Sequence, residues 1–338
     1  MVRSLASGRF EIKEEDLAAQ YDLRPLSLGE ILDRVFTLYR THFALFVGVM
    51  AIPAVVKIPT NLYSFSIWGK MLRPEAGHAP PFDPGILAVI YLVIFPVILV
   101  VGTLGMGAIS LAVSDVYLGR VATIRGSYRR ALQRFWRLLG LLFSVGAILM
   151  GIVIVFAIGM GLFMATFAAS RAVGNLGNGA RIAVVLLFLL VILAILAAAI
   201  FVGMIFSLGI PALLLEDATV GGALRRSIEL TRHRRWHIFL GVLLTVFVSY
   251  SVILIFEGPF MLAMGMFTLK GGAPPGWLAF ATSISAACGS AVSSPLIMIA
   301  LVLYYYDQRV RKEAFDLQHM IAQIDAAPQK APPGFVPS

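Results

Sequence analysis

The chain has 338 residues, 59% hydrophobic and only 13% charged, with a mean hydropathy of +0.89 and a formal net charge of +9. A soluble domain carries about 25% charged residues, so this chain lacks the polar surface to cover its apolar side chains in water, and lipid has to be its solvent. The positive charge does not point to nucleic acid, because its distribution along the chain fits anionic lipid headgroups.

In chain order, residues 1–23 read as a polar cytoplasmic segment. No cleavable signal peptide is visible: acidic residues crowd "EIKEEDLAAQYD", where a basic start and a short apolar core would be needed. Residues 24–306 read as one membrane domain with six apolar runs, at roughly 43–65, 85–113, 138–169, 182–215, 238–267 and 277–306. Each exceeds the ~20 residues that a helix needs to cross the hydrocarbon core. Helices satisfy their own backbone in lipid, and the alternation of a membrane barrel is absent. The fifth run is long, and "EGPF" (Glu257 to Phe260) is the expected break, since proline interrupts the hydrogen-bond ladder. A spanning helix should end near Phe256, with a short apolar helix after it. Residues 307–326 extend the last span as an amphipathic helix, with Val310, Ala314, Leu317, Ile321 and Ile324 on one face. Residues 327–338 are Pro-rich and expected to be disordered.

Basic residues alternate between the connections. The amino-terminal segment, the second connection, the fourth connection and the carboxyl tail carry 6, 6, 5 and 4 Lys or Arg, against 2, 2 and 1 in the first, third and fifth connections. The positive-inside rule then places both termini in the cytoplasm of an inner membrane. Arg outnumbers Lys 21 to 6, which fits a GC-rich bacterial genome.

Three stretches repeat. "SLGEILDRVFTLYRTHF" starts at Ser27, "TIRGSYRRALQRFWRLL" at Thr123 and "TVGGALRRSIELTRHRR" at Thr219, each 96 residues after the one before. Arg34, Arg130 and Arg226 fall in register. So do Leu32, Phe36, Tyr39 and Phe43 with Tyr128, Leu132, Phe135 and Leu139, at the i, i+4, i+7, i+11 spacing of one helix face. The third copy keeps Leu224 and Ile228. Each stretch opens on a Ser or Thr suited to N-capping, and Ser27 with Glu30 makes a full capping box. Each leads into two spans, which returns the chain to the same side. The fold class is therefore all-α: a polytopic six-helix bundle of three parallel repeats, each a cytoplasmic amphipathic helix followed by a transmembrane hairpin.

The run "LRPLSLGEILDRVFTLYRTHF" resembles the opening of the glycerophosphoryl diester phosphodiesterase membrane-domain family, and "LLLEDATVGGALRRSIELTRHRRW" is similar to its second recurrent motif. The resemblance covers about residues 24 to 320. It implies a membrane region that in some relatives is joined to a catalytic phosphodiesterase domain. The segments flanking the spans here, about 42 and 32 residues, fall far below the ~250 residues of such a barrel. The resemblance therefore implies no phosphodiesterase activity and no catalytic residues for this chain.

The candidate site residues follow from charge and depth. Lys57, between Pro53 and Pro59, and Glu257 are ionisable groups in predicted spans, and such groups mark cavities, pathways or ion pairs. With Ser285 and Ser293 of the small-residue stripe "TSISAACGSAVSSP" they are candidates for a polar cavity opening outward. The plainer reading is a snorkelling Lys57, a Glu257 at a helix end, and close helix packing by the stripe. Arg34, Arg130, Arg226, Arg232, Arg234, Arg235 and Trp236 are candidates for contact with lipid phosphates and the interface. Asp115, Asp217 and Asp307 close the even-numbered spans and are expected to brace Arg130, Arg226 and Arg311. His233 and His237 stand four apart, but the arginines around them disfavour a dication, so no metal and no cofactor are expected. Cys288, the single cysteine, rules out an internal disulfide framework and lacks a His partner for a nucleophilic role. No P-loop, dinucleotide fingerprint, HExxH or GxSxG is present.

The sequence thus predicts a non-catalytic membrane scaffold or lipid-interacting module. Its expected partners are anionic headgroups on the cytoplasmic side and another protein. A small transporter or lipid-translocating protein is the alternative, and an intramembrane enzyme the third reading.

Overall fold

The structure, a computed structural model, describes residues 26–63, 90–173, 178–232, 234–270 and 274–313. These residues are mostly helical, without strands, and the order is α1 (Leu28–Thr41), α2 (Phe43–Val56), a π-helical turn (Ile90–Ile94), α3 (Phe95–Tyr117), α4 (Ile124–Gln133) and α5 (Phe135–Val173). There follow α6 (Asn178–Phe206), α7 (Gly209–Leu215), α8 (Val220–Thr231), α9 (Arg235–Leu269) and α10 (Gly276–Glu313). Among the described residues five helices are long and apolar enough to cross a membrane, and a sixth is added if α1 and α2, bent by 84°, count as one span. The chain is a multi-pass helical membrane protein.

Three short amphipathic helices begin where capping chemistry dictates. Ser27 Oγ accepts from the Glu30 N–H at 3.3 Å, and the Glu30 carboxylate accepts from the Ser27 N–H at 2.7 Å, which completes the capping box. Thr123 and Thr219 cap α4 and α8 in the same way, each accepting from the glycine three residues on at 3.2 Å. Each short helix leads after one to three residues into an apolar helix, long in α5 and α9 and 14 residues in α2.

The packing face of these helices lies one residue ahead of the face predicted from the apolar spacing. Ile31, Val35 and Leu38 of α1 are buried, as are Ser127 and Ala131 of α4 and Ala223, Ser227 and Leu230 of α8. Phe36, Leu132 and Ile228, on the face marked by the apolar spacing, are exposed. The reason is steric. In α4 and α8, Ser127, Ala131, Ala223 and Ser227 are small and let the helices sit tightly against the long ones, which leaves the bulkier Leu132 and Ile228 outside.

One glycine is needed for its backbone. After α3, Gly119 adopts φ +70°, its N–H bonds to Val116 O at 3.1 Å and the Arg120 N–H bonds to Asp115 O at 2.7 Å. This left-handed ending reverses the chain toward α4.

The core gathers where the short helices meet the ends of α3, α7 and α10, here called the arginine-rich end. Tyr304 and Tyr305 are fully buried there, with Ile109, Leu213 and Leu138 in the same cluster. The α5–α6 hairpin stands apart. In its most apolar stretches 6% and 0% of residues are buried, against 61% in α10.

Two expectations about the spans are corrected. The helix does not break at "EGPF": α9 runs unbroken from Arg235 to Leu269 with Pro259 inside it. Proline removes one N–H, but a long helix keeps its direction when its neighbours hold it, and α9 lies along α10, with the Ser285 hydroxyl donating to Phe256 O next to the proline turn. The fourth run is instead divided at Ser207–Leu208 into α6 and α7. The predicted tail helix is seen as a direct continuation of α10 to Glu313, and the rest of it lies outside the described residues.

Candidate functional site

The three register arginines are consumed by the fold. Arg34 donates to the Tyr117 hydroxyl at 3.2 Å. Arg130 clasps the Asp115 carboxylate with two donors. Arg226 Nε donates to both oxygens of Glu216, at 3.0 and 3.1 Å. Asp307 is 2% exposed and accepts from Arg311 Nε at 3.0 Å and from the Leu26 N–H at 2.9 Å, while Arg311 also donates to Leu26 O. The expected braces at Asp115–Arg130 and Asp307–Arg311 are therefore present, whereas Asp217–Arg226 is replaced by Glu216–Arg226. Asp217 takes a left-handed backbone, φ 52°, just past α7, and this aims its side chain at Arg134 (3.0 Å) and Arg137 (2.7 Å) instead. The Arg134 guanidinium, and then Arg137, hold the Asp217 carboxyl below its usual range.

Tyrosines join these pairs. The Tyr305 hydroxyl donates to Glu216 at 2.8 Å, Tyr306 and Ser114 share a hydrogen bond of 2.7 Å, and the Tyr306 and Tyr117 rings lie 5.2 Å apart. The Tyr128 hydroxyl donates to Val49 O at 2.8 Å, and burial pushes its pKa up to about 12, so it stays a neutral donor. Tyr305 and Tyr306 were missed in the sequence because nothing in "LYYYD" distinguishes an interfacial belt from a buried polar seam.

The proposed outward cavity does not assemble from its four residues. Lys57 is exposed at the turn after α2, Glu257 is half-buried within α9, and no ion pair joins them among the described residues. Ser285 donates to Phe256 O, and Ser293 is 1% exposed with its carbonyl accepting from Ser249. A Cβ on Gly289 would sit 3.1 Å from that of Phe256, and Ala287 and Ala291 pack beside Ala54 of α2. The buried face of the small-residue stripe is a close-packed seam between α10 and its neighbours.

The other arginine cluster is different. Arg232, Arg234 and Arg235 line the mouth of an open groove of about 1140 Å³ between α6 and the start of α9. Its wall on α6 is apolar, with Ala197, Ala198, Phe201 and Met204. The Arg235 guanidinium lies 5.4 Å from the Phe201 ring centroid. Arg235 Nε and His237 Nε2 are buried without a hydrogen-bond partner among the described residues. No carboxylate among them pairs with any of the three arginines; Asp307, whose field reaches His237, is committed to Arg311 and Leu26. Trp236 is 76% exposed beside the groove, edge-on to Phe239 at 5.8 Å. The sequence pointed to the arginines and Trp236 but not to α6, whose contribution is set by helix placement alone. His233 lies outside the described residues, and no group of three or more His, Cys, Asp or Glu able to hold a metal occurs among those described.

Long lipid-length helices, short amphipathic helices tied down through their arginines, and a cationic groove beside an apolar wall fit a helical membrane protein. The chain belongs to the family described as domain of unknown function (DUF7847), which matches residues 26–308. No curated protein and no solved structure matches it.

Proposed function

We propose that this chain is a non-catalytic scaffold of a bacterial cytoplasmic membrane that engages anionic lipid headgroups on its inner face and works with a protein partner. In this reading six spans form three parallel repeats, both termini lie in the cytoplasm, and the arginine-rich end faces inward. The resemblance to the glycerophosphoryl diester phosphodiesterase membrane domain belongs to the same proposal, as a likeness of membrane architecture without the reaction.

The observation that carries the reading is the close-packed seam along α10. Ser285, Ser293 and Gly289 are spent on contact with α9 and leave no room there for a hydrated path. A transporter needs ionisable or polar groups facing water within the membrane, and here the polar groups of the seam face helix backbone. The exposed Phe36, Leu132 and Ile228, each 96 residues from the next, support interfacial seating of the short helices.

The test is labelling of single cysteines in a Cys288→Ala background with a membrane-impermeant maleimide. Ser293→Cys is expected to stay unlabelled from either side. Val121→Cys, 93% exposed in the loop before α4, is expected to react in inverted vesicles and not in intact cells. Labelling of Ser293→Cys would transfer the case to the transporter, and labelling of Val121→Cys in intact cells would reverse the orientation.

A further inference from the structure

We infer that the groove between α6 and the start of α9 is a binding site for one anionic phospholipid, its phosphate held by Arg234, Arg235 and His237 and its acyl chains laid along Ala198, Phe201 and Met204. The inference deepens the lipid-interacting reading above and rests on it.

Burying a guanidinium or imidazole nitrogen without a partner is costly. Native structures satisfy such groups, so a buried donor left open points to a missing acceptor. Arg235 Nε and His237 Nε2 are two such nitrogens, on residues that line one groove. Three arginines converge there without a carboxylate, which makes the mouth a strong attractor for negative charge. By contrast Arg130, Arg226 and Arg311 are neutralised by Asp115, Glu216 and Asp307. A guanidinium fork matches a phosphate in two parallel bonds, and several forks favour a phosphate over a single carboxylate.

The wall selects an amphiphile over a free anion. Below the arginines, α6 offers only apolar side chains, and Phe201 already supports the Arg235 guanidinium from one face. The groove opens from a helix whose most apolar stretch is entirely unburied, so it is continuous with the lipid-facing surface. Its volume of about 1140 Å³ exceeds the upper end of ordinary small-molecule pockets, roughly 1,000 Å³, as a headgroup with part of its chains requires. A headgroup with a compensating positive charge would meet Arg232 and Arg234 unfavourably, so phosphatidylglycerol-like lipids fit and phosphatidylcholine does not.

The experiment is native mass spectrometry of the full chain released from nanodiscs containing equal phosphatidylglycerol and phosphatidylcholine. The wild type is expected to retain phosphatidylglycerol selectively. The double variant Arg234→Gln/Arg235→Gln should bind it about tenfold more weakly or worse, the loss of two charge-assisted contacts. Ala198→Phe keeps every charge but fills the apolar wall, and it should lose the lipid as well. Excess inorganic phosphate should not displace the lipid from the wild type. Equal retention of the two lipids by the wild type, or unchanged retention in Ala198→Phe, overturns the assignment. Displacement by inorganic phosphate overturns it in favour of a free-anion site. If the arginine variant fails to fold, lipid selectivity and Ala198→Phe still decide. The maleimide test above reads the seam and the orientation without reference to lipid, so the two proposals fail separately.

Discussion

α10 and the α5–α6 hairpin are both membrane-length helical segments, yet α10 is the centre of the molecule and the hairpin its outlier. In their most apolar stretches 61% of residues are buried in α10 and 6% and 0% in α5 and α6. Hydropathy orders them the other way, since α10 is the least apolar of the five long helices. In water the most apolar helix is the most buried, because burial removes apolar surface from solvent. In lipid that force is absent between helices, and small residues and polar contacts decide what packs. α10 carries Ser285, Ser293, Tyr305, Tyr306 and Asp307, each with a protein partner. The hairpin offers Leu, Ile, Val and Phe, for which lipid is an adequate partner.

The largest test of this contrast is Asp307→Ala. It strands Arg311 and the Leu26 N–H at a site 2% exposed. Removing one partner of a buried pair costs about 3 kcal/mol or more, so the unfolding midpoint in detergent should fall sharply. Leu190→Ala in α6, a residue 63% exposed, should change stability by no more than about 0.5 kcal/mol. Equal losses would break the comparison.

Next come two glycines. A Cβ on Gly241 of α9 would overlap the buried Tyr304 hydroxyl of α10, while one on Gly159 of α5 would meet nothing within 4 Å. Gly241→Ala should cost about 2 kcal/mol by overpacking, and Gly159→Ala should be neutral or slightly stabilising, since alanine is the better helix former. Tyr304→Phe removes the overlapping hydroxyl, which has no hydrogen-bond partner among the described residues. The ring carbon Cζ would still lie 2.5 Å from the new Cβ, so thermal unfolding of the double variant should recover only a minor part of the loss in Gly241→Ala.

A smaller effect is expected at Ser114 and Tyr306. Their 2.7 Å hydrogen bond joins α3 to α10, and a double-mutant cycle of Ser114→Ala and Tyr306→Phe should return a coupling of about 1 kcal/mol.

What the sequence disclosed follows the same divide. The caps at Ser27, Thr123 and Thr219 were legible because capping is local chemistry, fixed within four residues. Asp115–Arg130 and Asp307–Arg311 were legible because each joins residues near one turn or on one helix face. Glu216 was passed over for Asp217 because the choice depends on a left-handed backbone at Asp217 that no spacing reveals. Pro259 signalled a break that α9 does not make, since a local rule gives way where a neighbouring helix supports the ladder. The groove needed α6 beside the start of α9, residues 34 apart at Phe201 and Arg235, and periodicity carries no information at that distance.

The smallest expected effect lies at the base of the hairpin, where Asp217 ties Arg134 and Arg137 to the loop before α8. Asp217→Asn is the suitable variant because asparagine tolerates the left-handed backbone that Asp217 adopts. Only the charge is then removed. The carboxyl is held below its ordinary value in the fold, by Arg134 first and Arg137 second, so the unfolded chain binds the proton more readily. Stability from this group is fully present above the unfolded value, ~3.9, and is lost as pH falls through the lower folded value. The wild type should therefore melt slightly above Asp217→Asn at neutral pH, and the gap should close on acidification below about pH 4. Because the site is open to solvent, added salt should also shrink the gap. A gap that widened in acid, or that ignored salt, would mean that Asp217 acts through its backbone and that its two arginines add nothing to the hairpin's attachment.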